Sequence, residues 1–419
     1  DPATGQFLIP GVNADRAAGV RTDTNNFEPR VGFVWSPGEK KWAVRGGYGI
    51  FHDVSGNGGV QGLYLNPPFT SELGFTSNNI TPVRTLSTGF APVPQPNPAN
   101  YPGNVVVWDR DYQQGLVQQY NVNVQRELPG NVVVTAAYAG SRGRNLQGKG
   151  FNTNSAPPGP GNNTASRRPF PQYNNFNLIV DRGEVDYDAL QLKGEKRLSG
   201  GLYLLTAYTF SQSMTNGLSQ NVGVNTGVKY FPYEPYPGAD RGLADTDVRH
   251  SFTLSYVYDI PLASAAATPV KALFGEWQMN GILRMRTGYP LSMSMAVNQS
   301  GTGIGNRPDR VCDGALSSGE RSVDRWFDTS CFVAPPAGRF GNAARTTLTG
   351  PGLVNFDLSF IKNFPLAHSK AQFRTEIFNL FNTAQFDLPV TTVGNANFGR
   401  IQATVAPSRQ VQFALRYQF

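Results

Sequence analysis

The sequence predicts an all-β chain, an antiparallel up-and-down transmembrane β-barrel read as the C-terminal portion of a larger one. Three observations lead there. Apolar and polar residues alternate with a period of two in segment after segment. Short and long connections alternate between those segments, so every hairpin has one tight end and one elaborated end. Aromatic residues gather near the strand ends (Trp35, Trp42, Tyr138, Tyr256, Tyr258, Trp277, Tyr289, Tyr417), where a lipid interface favours them.

In chain order the first two strands, about 29–36 and 41–52, are joined at Ser36-Pro37-Gly38-Glu39, and Trp42, Val44, Tyr48 and Ile50 share the second strand's apolar face. Strands about 113–128 and 131–141 follow, with Tyr120, Val122 and Val124 in phase, a turn at Pro129-Gly130-Asn131, then Val132, Val134 and Tyr138. Strands 187–198 and 201–213 flank Ser199-Gly200-Gly201. The first puts Gln191, Lys193, Glu195 and Arg197 on one face, and the second carries Leu202, Leu204, Tyr208 and Phe210 on its apolar face. In 248–260, Phe252, Leu254, Tyr256 and Tyr258 alternate with Ser251, Thr253 and Ser255. In 276–289, Trp277, Met279, Leu283 and Met285 alternate with Gln278, Asn280, Arg284 and Arg286. Strands 353–363 (Phe356, Leu358, Phe360), 370–382 and 409–419 close the series. In the last, Val411, Phe413, Leu415, Tyr417 and Phe419 form one face and Gln410, Gln412, Ala414, Arg416 and Gln418 the other. The long connections run about 54–110, 147–184, 215–247 and 294–352.

Eleven is odd, whereas bacterial single-chain barrels have even strand numbers. Either earlier strands lie upstream of Asp1, which makes this chain the C-terminal portion of a larger barrel, or a twelfth strand is hidden in a connection. The chain opens without a Met or a leader-like segment, which reads as a processed chain or a fragment.

Composition agrees with a barrel. Hydrophobic residues are 39% of the 419 and aromatics 12%, too aromatic for a disordered chain. Mean hydropathy is −0.33, and no stretch approaches the roughly 18 apolar residues of a membrane helix. A membrane strand needs an apolar residue only at every second position, so low hydropathy and membrane residence are compatible. The formal charge of +7 is scattered, with no basic run, and no nucleic-acid partner is expected. The two cysteines, Cys312 and Cys331, lie together in one Gly/Ser/Pro-rich connection and suit a loop disulfide in an oxidising compartment; two unpaired thiols are the other reading.

Particular strings then resemble the Oar-like TonB-dependent outer-membrane receptors. They are Phe27-Glu28-Pro29-Arg30-Val31-Gly32-Phe33 with Arg45-Gly46-Gly47-Tyr48-Gly49-Ile50-Phe51; Gln125-Arg126-Glu127-Leu128-Pro129 with Tyr138-Ala139-Gly140-Ser141; Tyr208-Thr209-Phe210-Ser211; and Asp247-Val248-Arg249-His250. Phe373-Arg374-Thr375-Glu376-Ile377-Phe378-Asn379-Leu380-Phe381-Asn382 is similar to that group's penultimate strand, and Arg409 to Phe419 to its closing strand. The resemblance implies a 22-stranded barrel in a Gram-negative outer membrane, filled by an N-terminal plug and energised by TonB. Neither a plug nor a TonB-contacting segment, nor the small β-domain that often precedes the plug, is recognisable in this sequence. The closing strand, with Phe413, Leu415, Tyr417 and Phe419 in phase, resembles the signal by which the barrel-assembly machinery captures such proteins through strand addition.

Candidate chemistry is sparse. His52, His250 and His368 each lack acidic or Cys neighbours at metal-ligand spacing, so no zinc site or triad is expected. Asp109/Asp111 and Asp186/Asp188 place carboxylates two apart, the geometry of a paired acid and base, but at strand ends they read as a solvated rim or calcium contacts. Gly56-Asn57-Gly58-Gly59 and Gly301-Thr302-Gly303-Ile304-Gly305 lack the strand-to-helix context of a phosphate cradle. Pro92 to Pro98 reads as a stiff polyproline spacer. Arg374 and Glu376 share a face and are expected in the lumen, paired with each other or with a plug. The expected function is energised transport or binding of a large or scarce external substrate, without catalysis or cofactor. Tyr64, Phe75, Tyr101, Trp108, Tyr173, Tyr230, Tyr233 and Tyr236 of the loops suit a carbohydrate or peptide. Expected partners are outer-membrane lipid and lipopolysaccharide, the barrel-assembly machinery, TonB and a plug. A passive porin-like barrel and a secreted β-sandwich adhesin or carbohydrate-binding protein are the rival readings.

Overall fold

Alternation at period two becomes, in the computed structural model of the chain, eleven long strands hydrogen-bonded in sequence order: β1 Arg30–Trp35, β2 Trp42–Asp53, β3 Gly115–Leu128, β4 Val132–Asn152, β5 Phe176–Ser199, β6 Leu202–Thr215, β7 His250–Ile260, β8 Trp277–Arg286, β9 Leu353–Pro365, β10 Lys370–Phe378 and β11 Gln410–Gln418. The structure describes residues 6, 8–9, 11–17, 19–38, 41–53, 66, 80, 87, 89, 103–152, 154–161, 164–174, 176–216, 240–262, 270, 274–303, 305–365 and 369–419. Each neighbouring pair of long strands is antiparallel. One meander of this kind is an up-and-down wall; a sandwich would divide the strands between two packed sheets, and that rival reading falls away.

The tight turns show why the hairpins close where they do. Gly130 and Asn131 have φ of 80° and 59°, and Gly200 and Gly201 have 62° and 77°. Two successive left-handed residues give the turn twist that matches the strands, and Gly and Asn adopt that conformation at least cost.

The register sorts every side chain onto one of two faces. Trp42, Arg126, Val134, Gly194, Thr206, Leu254, Leu283 and Phe356 lie along one continuous rung from β2 to β9. Its neighbours on the same face are Val44, Val124, Ala136, Leu192, Tyr208, Phe252, Met285 and Val354. The opposite face carries Arg45, Gln125, Thr135, Lys193, Thr253 and Arg284. The sheet is thus apolar on one side and polar on the other across its whole width. Its apolar side chains are bare of protein: Phe33 is 56% exposed, Phe413 66% and Leu415 77%.

Strands β8, β10 and β11 are 10, 9 and 9 residues long, the length that crosses a bilayer at a tilt of about 45°. Strands β4 and β5, at 21 and 24 residues, run on beyond it. The segment 147–184, expected as a loop, is therefore largely a continued hairpin, and only 153–175 connects it. Pairing slips between Gly143 and Leu146, Leu146 and Gly148, and Lys149 and Phe151. Each slip breaks the parity that the sequence reading followed. Inside the first long connection, Val105–Trp108 adds a short strand parallel to the far end of β5. The expected strand 370–382 ends instead at Phe378, because Asn379 turns left-handed with φ of 51°. This exposes a further long connection, 379–409, that the sequence reading did not distinguish.

Candidate functional site: polar wall, apolar belt and loop cap

The polar wall is cross-linked by its own side chains. Arg45 donates to Gln125 at 2.8 Å, Gln278 to Asp259 at 2.7 Å, Arg284 to Asp357 at 3.2 Å and Gln372 to Asn363 at 2.8 Å. Lys193 donates to Glu195 at 3.0 Å. Arg374 and Glu376 lie on this face, opposite Ile361 and Ser359 of β9. Arg374 Nε donates to Gln372 Oε1 at 2.6 Å, and an Arg374–Glu376 bridge is not among the ion pairs of the described residues.

The apolar belt ends in aromatic rings toward the tight turns, with Trp35, Trp42, Tyr258, Trp277, Phe364 and Tyr417 beside them. Toward the long connections, Tyr48, Tyr120 and Tyr138 mark its other edge. Just past Tyr138 the same face turns ionic. Arg142 grips Asp188 at 2.8 Å and 3.0 Å, Arg144 holds Asp186 at 2.7 Å, and Arg241 reaches Asp186 at 2.5 Å. The Asp186/Asp188 pair is thus clamped by arginines as a rim ion-pair network. Asp109 and Asp111 lie off the strands, Asp111 with Arg21 at 2.6 Å. His250 opens β7, with Nδ1 2.8 Å from the Tyr208 hydroxyl and its backbone N–H on Thr287; His52 sits 3.7 Å from Glu28. His368, Gly56 to Gly59 and Pro92 to Pro98 fall outside the described residues, as do Tyr64, Phe75, Tyr101, Tyr230, Tyr233 and Tyr236. Among the described residues no three His, Cys, Asp or Glu side chains converge on a metal position.

At the long-connection end the loops fold onto one another. Leu291, Met293, Phe327, Cys331, Phe332 and Leu348 form a buried cluster, with Trp326, Val393 and Phe398 packed on it. Phe327 meets Phe332 and Phe398 edge-on, at centroid separations of 5.8 Å and 5.2 Å. Cys331, a member of that cluster, is joined to Cys312 by a disulfide, their Cα atoms 4.9 Å apart. Connections 287–352 and 379–409 are stitched together by the parallel pair Ser294–Met295 with Thr392–Val393. Arg400 and Asp324 pair at 2.5 Å, and Trp326 N–H bonds Gly399 at 2.9 Å. Two buried arginines tie in residues 240–247: Arg307 holds Asp240, and Arg345 holds Asp245 at 3.3 Å. Burial pushes the Arg307 guanidinium down and the two aspartates oppose that shift. Hydrogen bonding from Arg339 holds the Asp309 carboxyl below its usual range.

The hairpin loop 153–175 is built on Asn154. This fully buried side chain donates to the carbonyls of Phe170, Tyr173 and Asn174 at 2.9, 3.1 and 2.7 Å and accepts from Phe170 N–H at 2.8 Å. Tyr173, a candidate for ligand contact, is buried against Phe176, so it serves the loop's own packing. Trp108 packs edge-on against Tyr112 at 4.7 Å.

A single amphipathic meander with a lipid-length apolar belt and an elaborated end defines an outer-membrane β-barrel wall. The chain belongs to the outer membrane beta barrel domain family, whose model matches residues 1–412. This places it in the outer membrane of a Gram-negative bacterium. No curated protein matches it. Among solved structures it is similar to the outer membrane transporter YddB from Escherichia coli, with 10% identity, TM-score 0.43, and 91% of this chain against 39% of that one. The ferric-catecholate import receptor Fiu of E. coli gives 10%, 0.41, 93% and 34%. The siderophore receptor PiuA from Acinetobacter baumannii gives 11%, 0.41, 93% and 35%. The chain therefore spans between a third and two fifths of the length of those three proteins.

Proposed function

We propose that the chain is the C-terminal barrel portion of an Oar-like TonB-dependent receptor. Its parent would bind a large or scarce external substrate and pass it across the outer membrane. The observation that carries this reading is the edge geometry. Eleven antiparallel strands leave β1 and β11 pointing the same way, and among the described residues neither pairs beyond β2 or β10. Antiparallel closure thus requires an odd number of further strands, and eleven more would complete the 22-stranded wall that the sequence resemblance implies.

Within that barrel the polar wall lines the lumen and meets the plug, with Arg374 and Glu376 as contact points. The loop cap and the residues outside the described set supply external recognition. The free edge of β11, carrying Phe413, Leu415, Tyr417 and Phe419, is the strand handed to the barrel-assembly machinery. The proposal includes no catalysis. Sequencing the coding DNA upstream of Asp1 tests it. A frame continuing through alternating strands to a plug is the expected result, whereas a stop codon or a signal peptide abutting Asp1 rules the receptor out. Replacing Arg374 and Glu376 together with Ala should weaken plug retention, and unchanged retention and uptake would remove them as contacts.

A further inference from the structure

Four glycines lie on the apolar face of the wall: Gly46, Gly140, Gly194 and Gly281. Three are roofed by a ring from the neighbouring strand. Phe33 lies over Gly46, Tyr120 over Gly140 and Tyr256 over Gly281, each so close that a Cβ would enter the ring. Gly194 is different. The atom a Cβ there would meet is Thr206 Oγ1 at 2.9 Å, with no ring above it. It forms the floor of an open groove of about 450 Å³, between Trp42 and Arg126 at one end and Tyr208 and Phe252 at the other.

The groove crosses from β2 to β7, five strand spacings, or about 24 Å at roughly 4.8 Å each. Trp42 is the first residue of β2, at its tight-turn end, whereas Phe252 lies near the long-connection end of β7. The groove therefore climbs obliquely from the tight-turn edge of the belt into its middle. Its lower end is cationic. Arg126 lies over the Trp42 ring at 4.6 Å and forms no ion pair among the described residues. Lys196 stands on the same face one step nearer the turn, donating to Gly130 and Ser199. An arginine on a lipid-facing surface is costly unless its charge is answered at the headgroup level.

We propose that this groove seats one acyl chain of an anionic phospholipid of the periplasmic leaflet, with the phosphate on Arg126 and Lys196. Tight turns face the periplasm in such barrels, so headgroup and cations lie at the same depth. The small residues Ala136 and Gly194 leave room for the chain.

Trp42 is the built-in probe. The intact protein would be placed in nanodiscs with phosphatidylglycerol or phosphatidylcholine carrying dibrominated acyl chains, and Trp42→Phe would supply the background from the other tryptophans. Expected is quenching of the Trp42 signal that saturates at low mole fraction of the brominated anionic lipid. The apparent affinity should fall about fivefold with the zwitterionic lipid or with Arg126→Gln, as expected of one basic residue near an anionic surface. Gly194→Leu and Ala136→Leu, filling the floor from two strands, should abolish saturation, and Gly194→Ala should retain it. Heat-modifiable gel mobility would report folding. Quenching proportional to mole fraction and equal for both headgroups would mean bulk lipid only and would overturn the proposal, as would lipopolysaccharide saturating the site in place of phospholipid. Should the leucine variants not fold, the Arg126→Gln comparison decides alone.

Discussion

The wall and the loop cap are made of the same residue types and stabilised in opposite ways. In the wall, backbone groups are paired strand to strand and the apolar side chains are left bare, Leu415 at 77% exposure, because lipid is their solvent. In the cap regular pairing is reduced to two-residue strands, while Leu291 and Phe327 are buried to 2% and 1%. The wall needs a bilayer to be stable. The cap carries its own core, its own disulfide and its own buried ion pairs, as a small water-facing domain must.

Four experiments on the intact protein press on that contrast. Phe327→Ala should cost the cap about 3–5 kcal/mol by leaving a cavity between the Phe332 and Phe398 rings, read as new protease cleavage within 287–352 while heat-modifiable mobility of the barrel persists; loss of the barrel as well would show that the two regions are one cooperative unit. Replacing Cys312 and Cys331 together by Ser should cost roughly 3 kcal/mol for so short a loop, again confined to the cap. In the wall, Leu254→Arg should cost about 2–4 kcal/mol of stability in vesicles, whereas Thr253→Arg, one residue away on the polar face, should be near neutral. Equal effects of those two arginines would contradict the assignment of faces. The smallest effect concerns pH. Because the Asp309 carboxyl is held low by Arg339, its contribution is present above the unfolded value of about 3.9 and is lost as pH falls through the lower folded one. Hydrogen-exchange protection factors around 306–342, which correct for the pH dependence of intrinsic exchange, should be flat from about pH 5 to 8 and fall below about pH 4 with wild type, and Asp309→Asn should remove that dependence.

The same contrast explains what was legible in the sequence. All eleven wall strands could be read, most to within a residue or two, because a lipid on one side and water on the other imprint a strict period of two. Legibility stopped where that asymmetry stops. Past Arg142 on β4 and before Asp186 on β5 the loops cover the hairpin, with Ile179 and Val180 buried on opposite faces, charges appear on the outer side, and register slips scramble parity, so a long hairpin read as a loop. The cap was unreadable for a different reason. Leu291, Phe327, Leu348 and Phe398 have no common period and meet only through long-range packing, and the buried Arg307 and Arg345 look like any surface arginine. The two cysteines, close in sequence and set in turn-rich chain, were the one signal that this region has a structure of its own.

The parallel pairing of Ser294–Met295 with Thr392–Val393 also sets a folding order. Its partners are 98 residues apart, and β9 and β10 lie between them, so the cost of closing that loop falls only after the last hairpin is in place. The Cys312–Cys331 link spans 19 positions and asks for nothing distant. The cap thus begins locally and finishes last, and a chain halted before residue 392 would carry an oxidised but open cap.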